Sequence, residues 1–221
     1  MNLDWKFIGE SLPLYMDAMW LTIELALIAI SLSMILGLLF SLVLFYRIKG
    51  LRSIILGYVE VSRNTPLLVQ LFFLYYGLPK IGLHLSEFNC AAIGLVFLGG
   101  GYMTEAFRSG IDAVSTAQIE SGLSIGLSKV QLARYVILPQ AFAISVPSLG
   151  ANAIFLLKET SIVGAIALMD LMNVAKDLIG MHYKTAESLL LLVLAYLVLV
   201  LPLSLLLSWI ERKVRHAEFG G

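Results

Sequence analysis

The chain contains a single cysteine, Cys90, which excludes an internal disulfide and is expected to pack as a small apolar residue rather than to react. Charge is scarce as well. Only 14% of the 221 residues are Asp, Glu, Lys or Arg, against about a quarter in a soluble domain. The formal net charge is zero, which argues against a nucleic-acid partner and shows no polybasic tail. Three scattered histidines (His84, His182 and His216) and no H-E-x-x-H or C-x-x-C spacing leave no metal site to propose. There is no G-x-x-x-x-G-K-S/T loop either, so the usual means of binding ATP is missing. The few acids and histidines are not clustered as a membrane enzyme would need them. The segment Met1-Asn2-Leu3-Asp4-Trp5-Lys6 lacks the basic start and early apolar core of a cleaved signal peptide, so the first apolar run is expected to stay in the mature protein.

What the chain does have is apolar length. Hydrophobic residues make up 59% of it and the mean hydropathy is +0.91, more than one compact core could bury in water. The expected fold is therefore an all-α integral membrane protein of about five transmembrane helices, forming one transmembrane domain over 1–221. The spans are placed at approximately 16–46, 53–78, 88–108, 136–157 and 188–210. The first holds a charge-free run after Glu24 that crosses a hydrocarbon core of roughly 30 Å with some tilt. The second is interrupted by Glu60 and Arg63, and Pro66 is expected to start a turn or bend the helix. The third carries Gly99, Gly100 and Gly101, and the fourth Gly150-Ala151-Asn152-Ala153; small residues in both runs allow close helix packing. The run 162–169 is too short to cross and reads as a re-entrant or interfacial piece.

Orientation follows from the loops. Arg47, Lys49, Arg52, Arg63, Arg108, Lys129, Arg134, Arg212, Lys213 and Arg215 fall on one side, and Lys6, Lys80, Lys158, Lys176 and Lys184 on the other. Cytoplasmic loops collect the excess, so the carboxyl terminus is expected in the cytoplasm and the amino terminus outside. Trp5, Tyr15, Trp20, Tyr183 and Trp209 lie near span ends, where aromatic belts are expected.

The segment 109–135 is too long for a plain connection between neighbouring helices. Ser115 and Thr116 followed by Gln118 and Glu120 signal a helix start, and a second start follows Gly126 at Ser128. Two short helices across the cytoplasmic face are the natural reading, and an amphipathic connector without a partner is the bland one. Here the sequence resembles a family, the permease subunits of ATP-binding-cassette importers. The signature of that family, E-A-A, three residues, G, nine residues, I-x-L-P, is matched by Glu120-Ser121-Gly122, Gly126 and Val136-Ile137-Leu138-Pro139. Arg63-Asn64-Thr65-Pro66-Leu67-Leu68-Val69-Gln70 resembles R-G-T-P-L-L-V-Q, and Leu157-Lys158-Glu159-Thr160-Ser161-Ile162 resembles L-K-D/N-T-S-L. Both belong to the polar amino acid branch, whose members carry histidine, glutamine, glutamate, arginine or cystine. Ser121 and Gly122 replace the two alanines, and glycine inside a helix costs roughly 1 kcal/mol against alanine. Asn64 replaces a glycine, and asparagine tolerates a left-handed backbone.

The resemblance implies a multi-pass subunit of the cell inner membrane, of the type I importer fold, that translocates a polar amino acid and is not itself an enzyme. It implies no cofactor on this chain, ATP with magnesium on a separate ATPase, and two such ATP-binding-cassette subunits. A second permease subunit (identical or similar), an extracytoplasmic amino-acid-binding protein and membrane lipid complete the expected partners, with no nucleic acid. Glu120, Ser121, Gly122 and Gly126 would form a coupling helix in a groove of the ATPase: Glu120 an ionic or capping contact, Gly126 a turn of close approach. Leu138 and Pro139 would set how that turn enters the fourth span. Lys158 and Glu159 could meet the carboxylate and ammonium of a zwitterion, or merely mark the external interface with Lys158 snorkelling. Thr160, Ser161, Asn152 and Glu105 are further candidates for the pathway. Glu105 at i,i+3 from Arg108 is favoured as an ion pair on one helix face, and Glu60 and Arg63 have the same spacing. Asp170 and Lys176 read as a solvated outer face, with a gate or receptor contact as the alternative for Asp170. The alternative function is a self-sufficient secondary transporter or channel, but no internal repeat or ring of pore charges is found.

Overall fold

The computed structural model describes the backbone of residues 3–219 and side chains as far as residue 214. Met1, Asn2 and the side chains of Arg215 and His216 lie outside what is described. Nine α-helices are found among the described residues: α1 (Trp5–Phe45), α2 (Leu51–Asn64), α3 (Leu67–Phe72), α4 (Glu87–Asp112), α5 (Thr116–Ser124), α6 (Lys129–Leu132), α7 (Leu138–Glu159), α8 (Leu171–His182) and α9 (Thr185–Phe219). No strand occurs among these residues. Four helical stretches have the length and apolarity to cross a membrane: Trp5–Phe45, Glu87–Asp112, Lys129–Ile166 and Thr185–Val214. The remaining expected span is the shorter apolar stretch Leu67–Ile81, with α2 as a separate helix before it.

The break between α2 and α3 is dictated by Thr65-Pro66. A residue before proline avoids the helical region, so α2 stops at Asn64. Asn64 is not left-handed; its amide instead donates to the Glu60 carbonyl (2.8 Å) and carboxylate (3.0 Å). Gln70 folds back to donate to the Thr65 carbonyl at 3.0 Å, an acceptor that the break leaves outside any helix ladder. Two π-helical turns, Phe73–Gly77 and Ala133–Ile137, each end two residues before a proline, Pro79 and Pro139. A proline removes one N–H and crowds the carbonyl a turn back, and a widened turn relieves both.

The chain divides into two compact units. One comprises the chain up to Ser31, Thr65–Leu98 and Ile154–Leu203. Its core buries Tyr15 and Ala18 of α1, Leu171, Val174 and Leu178 of α8, and Leu191 and Ala195 of α9. Helix α1 begins well before residue 16 because Asp4 caps it, accepting from the Phe7 amide at 3.1 Å. Lys184 Nζ reaches Asp4 at 2.8 Å and the Asp4 amide donates to Glu187 at 3.0 Å, tying the starts of α1 and α9. Tyr15 donates to the Ser188 carbonyl at 2.7 Å and is buried. It is therefore a core residue and no belt aromatic, unlike the exposed Trp5, Trp20, Tyr183 and Trp209.

The other unit comprises Leu32–Asn64, Gly99–Ala153 and the chain from Ser204 on. Leu44, Ile55 and Val59 join α1 to α2. Gly100 and Gly101 let the Tyr58 hydroxyl and Ser62 Oγ approach where a Cβ would stand. Two buried hydroxyls here are satisfied within their own helices: Thr104 donates to Gly100 at 2.6 Å and Ser145 to Ala141 at 2.7 Å. Cys90, in the first unit, is buried.

Candidate coupling and translocation site

The segment between α4 and α7 folds as two short capped helices. Ser115 Oγ accepts from the Gln118 amide to open α5. Ser128 and Gln131 form a reciprocal capping box at α6, at 3.3 and 2.9 Å. Helix α5 ends in a Schellman motif: the Leu127 amide donates to the Gly122 carbonyl (3.1 Å) and the Gly126 amide to Leu123 (3.0 Å). Gly126 stands at φ +86°, the left-handed position that the motif requires. A Cβ there would meet nothing within 4 Å, so within this chain Gly126 serves the turn and not a close approach. Gly122 is different. It is buried, and a Cβ on it would collide with Leu132 Cδ1, so α5 and α6 touch across it.

The inner face of this segment buries Leu132, Ile137 and Ala141 with Val114, packed by Ile119 and Leu127. Its outer face stays open. Glu120 and Ser121 are exposed, as are Leu123, Ile125 (79%) and Val130 (68%). Leu138 and the exposed Pro139 begin α7 directly after the π turn.

The polar residues of the spans sort differently from their spacing. Glu105 pairs with Arg108 at 3.4 Å, as expected, and also with Arg63 of α2 at 3.5 Å. Arg63 therefore does not neutralise Glu60, whose carboxylate is taken by Asn64. The Arg63 guanidinium also lies 5.3 Å from the Tyr102 ring centre. Asn152 donates to the Tyr102 carbonyl at 3.3 Å, so α7, α4 and α2 are joined by one polar chain. In the other unit Lys158 is exposed and Glu159 half-buried, and neither has an ion-pair partner among the described residues. Thr160 is fully buried with its hydroxyl donated to Leu157 at 2.7 Å, and Ser161 is half-buried.

Asp170 overturns its expected place on a solvated face. It is fully buried and caps α8, accepting from the amides of Met172 and Asn173 at 3.1 Å each. Burial pushes its carboxyl up to about 6, against the pull of those amides and of Lys176. Lys176 itself is exposed. The Tyr196 hydroxyl is buried near Asp170, Thr160 and Ser161. An aspartate directly before an apolar helical run is a cap signal, and it was available at Asp170-Leu171.

Residues 29–216 match the family described as the inner membrane component of binding-protein-dependent transport systems. The chain belongs to that family. It is 34% identical over 212 residues to the probable glutamine ABC transporter permease protein GlnM of Bacillus subtilis, covering 96% of this chain and 98% of that one. It is 31% identical to the arginine transport system permease protein ArtQ of the same organism, over 99% and 100% of the two chains. A crystal structure of an amino acid ABC transporter with histidines superposes with a TM-score of 0.90 at 33% identity, over 96% of this chain and 100% of that one. The chain is thus a multi-pass inner-membrane subunit with the type I importer permease fold. In this family the ATPase is a separate subunit and the permease is not an enzyme. ATPase, binding-protein and permease partners go with the family.

Proposed function

We propose that this permease translocates a polar amino acid inward, with its carboxyl terminus in the cytoplasm and α5 seated in a groove of the ATPase. The whole chain acts as one permease domain, joined to a second permease, identical or similar, and to two ATP-binding-cassette subunits carrying ATP and magnesium. An extracytoplasmic binding protein delivers the solute. The observation that carries the coupling role is the two-faced segment 115–132. Its inner side is built into the core while Glu120, Ser121, Leu123 and Ile125 stay exposed beside a rigid Schellman turn. Nothing within the chain's own packing calls for an exposed Ile125 and Val130, and paired polar and apolar contacts are what a transmitting interface needs. Leu138 and Pro139 would pass the movement of that segment into α7.

The solute class is supported by the named relatives, which act on glutamine and arginine, and by two span charges left without partners. Lys158 and Glu159 would meet the carboxylate and ammonium that every amino acid carries. Ser161 would line the pathway beside them, whereas Thr160 is fully buried and its hydroxyl is spent on Leu157, so it backs that position; Asn152 and Glu105 are the candidates of the other unit. To test this, the tagged chain is purified in mild detergent from its native membrane. An ATPase should come with it in near-equal amount and be lost when Glu120 and Gly126 are replaced. Recovery of the chain alone, or of partners indifferent to those changes, overturns the coupling assignment.

A further inference from the structure

A cavity of about 460 Å3 lies within the second unit, where the end of α1, the start of α2, the end of α4 and the start of α5 meet. Its volume falls inside the range of small-ligand sites, roughly 300–1,000 Å3. Arg47, Arg52 and Arg108 line it, opposed by one carboxylate, Asp112. Arg108 is shared between Glu105 at 3.4 Å and Asp112 at 3.8 Å. Arg47 and Arg52 form no ion pair among the described residues, so the cavity holds an excess of positive charge with two unused guanidinium groups. Arg47 also sits in the left-handed region, φ 51°, closing α1 where glycine is the usual residue. The amide of Ile48 donates to Val43 at 3.3 Å and that of Arg47 to Leu44 at 3.2 Å around it. A non-glycine residue is uncommon in that conformation, and the helix dipole favours a cation at a C-terminus without demanding a left-handed one.

Apart from the hydroxyls of Ser41 and Thr116, the rest of the wall is apolar, with Phe45, Leu56, Ile111 and Ile119 as its larger side chains. A free inorganic anion has no use for such a wall, whereas a phosphate group bearing hydrocarbon chains fits both halves. Basic pockets between membrane helices hold anionic headgroups in this way. We propose that this cavity binds the headgroup of an anionic phospholipid through Arg47 and Arg52, with its chains along the apolar wall. Because Thr116 and Ile119 of α5 also line it, an occupied cavity braces the root of the coupling segment and raises the yield of coupled hydrolysis. This last step rests on α5 being the coupling helix; the binding itself does not.

The test uses the complete transporter, permease with its ATPase partner, in bilayers of phosphatidylcholine with and without phosphatidylglycerol. Native mass spectrometry reads lipid retained on the permease chain, and solute-stimulated ATP hydrolysis reads the effect. Wild type should retain phosphatidylglycerol and hydrolyse faster when it is present. The double variant Arg47→Gln, Arg52→Gln should bind it about thirtyfold more weakly, the loss expected for two arginines at a headgroup. Its hydrolysis should equal wild type in phosphatidylcholine alone and no longer respond to phosphatidylglycerol. The lysine pair Arg47→Lys, Arg52→Lys should restore retention, which separates lost charge from lost fold. Retention by the glutamine variant at the wild-type level overturns the site. Inorganic phosphate that displaces the lipid response, or reproduces it in phosphatidylcholine, overturns the lipid and assigns a soluble anion. Lipid retained normally on a permease whose ATPase does not depend on α5 would instead strike the coupling assignment alone.

Discussion

Gly126 and Asp170 show how single residues carry the geometry of this permease. The left-handed backbone at Gly126 has open space around it, so a substitution there costs conformation and not packing. Gly126→Ala is expected to weaken the Schellman turn by about 1–2 kcal/mol and to lower solute-stimulated hydrolysis more than basal hydrolysis. Gly126→Asn should lose less, because asparagine visits the left-handed region more readily. Equal loss in both variants would mean that the glycine is needed for close approach to the ATPase. Asp170 makes a prediction in pH. Its folded-state value of about 6 lies above the ordinary 3.9 of an aspartate, so folding takes up a proton between those values. The stability of α8 should therefore rise as pH falls from 7 toward 4, by on the order of 2 kcal/mol. Amide-exchange protection over Leu171–His182, corrected for intrinsic rate, should increase accordingly. Asp170→Asn should remove the dependence, and a persistent slope would place the titration elsewhere.

At the scale of elements, α2, α4 and α7 are held by the chain Arg63–Glu105–Arg108 and by Asn152 on the Tyr102 carbonyl. The ionic members are partly exposed, so each pair is worth about 0.2–1 kcal/mol and not more. A double-mutant cycle with Arg63→Met and Glu105→Gln should give a coupling energy in that range by thermal unfolding in detergent. A value near zero would show that the pair is formed without contributing. Elements were legible from the sequence where their signals are local. Ser115 and Ser128 mark the helix starts, Gly126 the turn, and Pro66 the break, because caps and prolines act within a turn of where they stand. The partner of Arg63 was not legible: Glu60 and Glu105 both satisfy charge, and only the packing of α2 on α4 through Gly100 and Gly101 chooses between them. Asp4 with Lys184 was hidden for the same reason, since the two lie at opposite ends of the chain. Burial of Asp170 follows from a core shared by α1, α8 and α9 that no local pattern reports.

For the whole molecule, orientation in the membrane decides whether the exposed face of α5 can meet an ATPase at all. The positive-inside count rests on loop charges, and it assigns Ile125 to the cytoplasm and Tyr183, in the turn between α8 and α9, to the outside. Both are exposed, at 79% and 87%, and Cys90 is buried. Single cysteines can therefore be read with little background against the native thiol. In intact cells that lack the ATPase subunit, a membrane-impermeant maleimide should label Tyr183→Cys and spare Ile125→Cys, and permeabilisation should expose the latter. Addition of the ATPase to the permeabilised transporter should then protect Ile125→Cys while leaving Tyr183→Cys reactive, because only the first lies on the face assigned to coupling. The opposite pattern in intact cells would invert the topology and remove α5 from any cytoplasmic partner. Labelling of Ile125→Cys that the ATPase does not diminish would keep the topology but move the docking surface off α5.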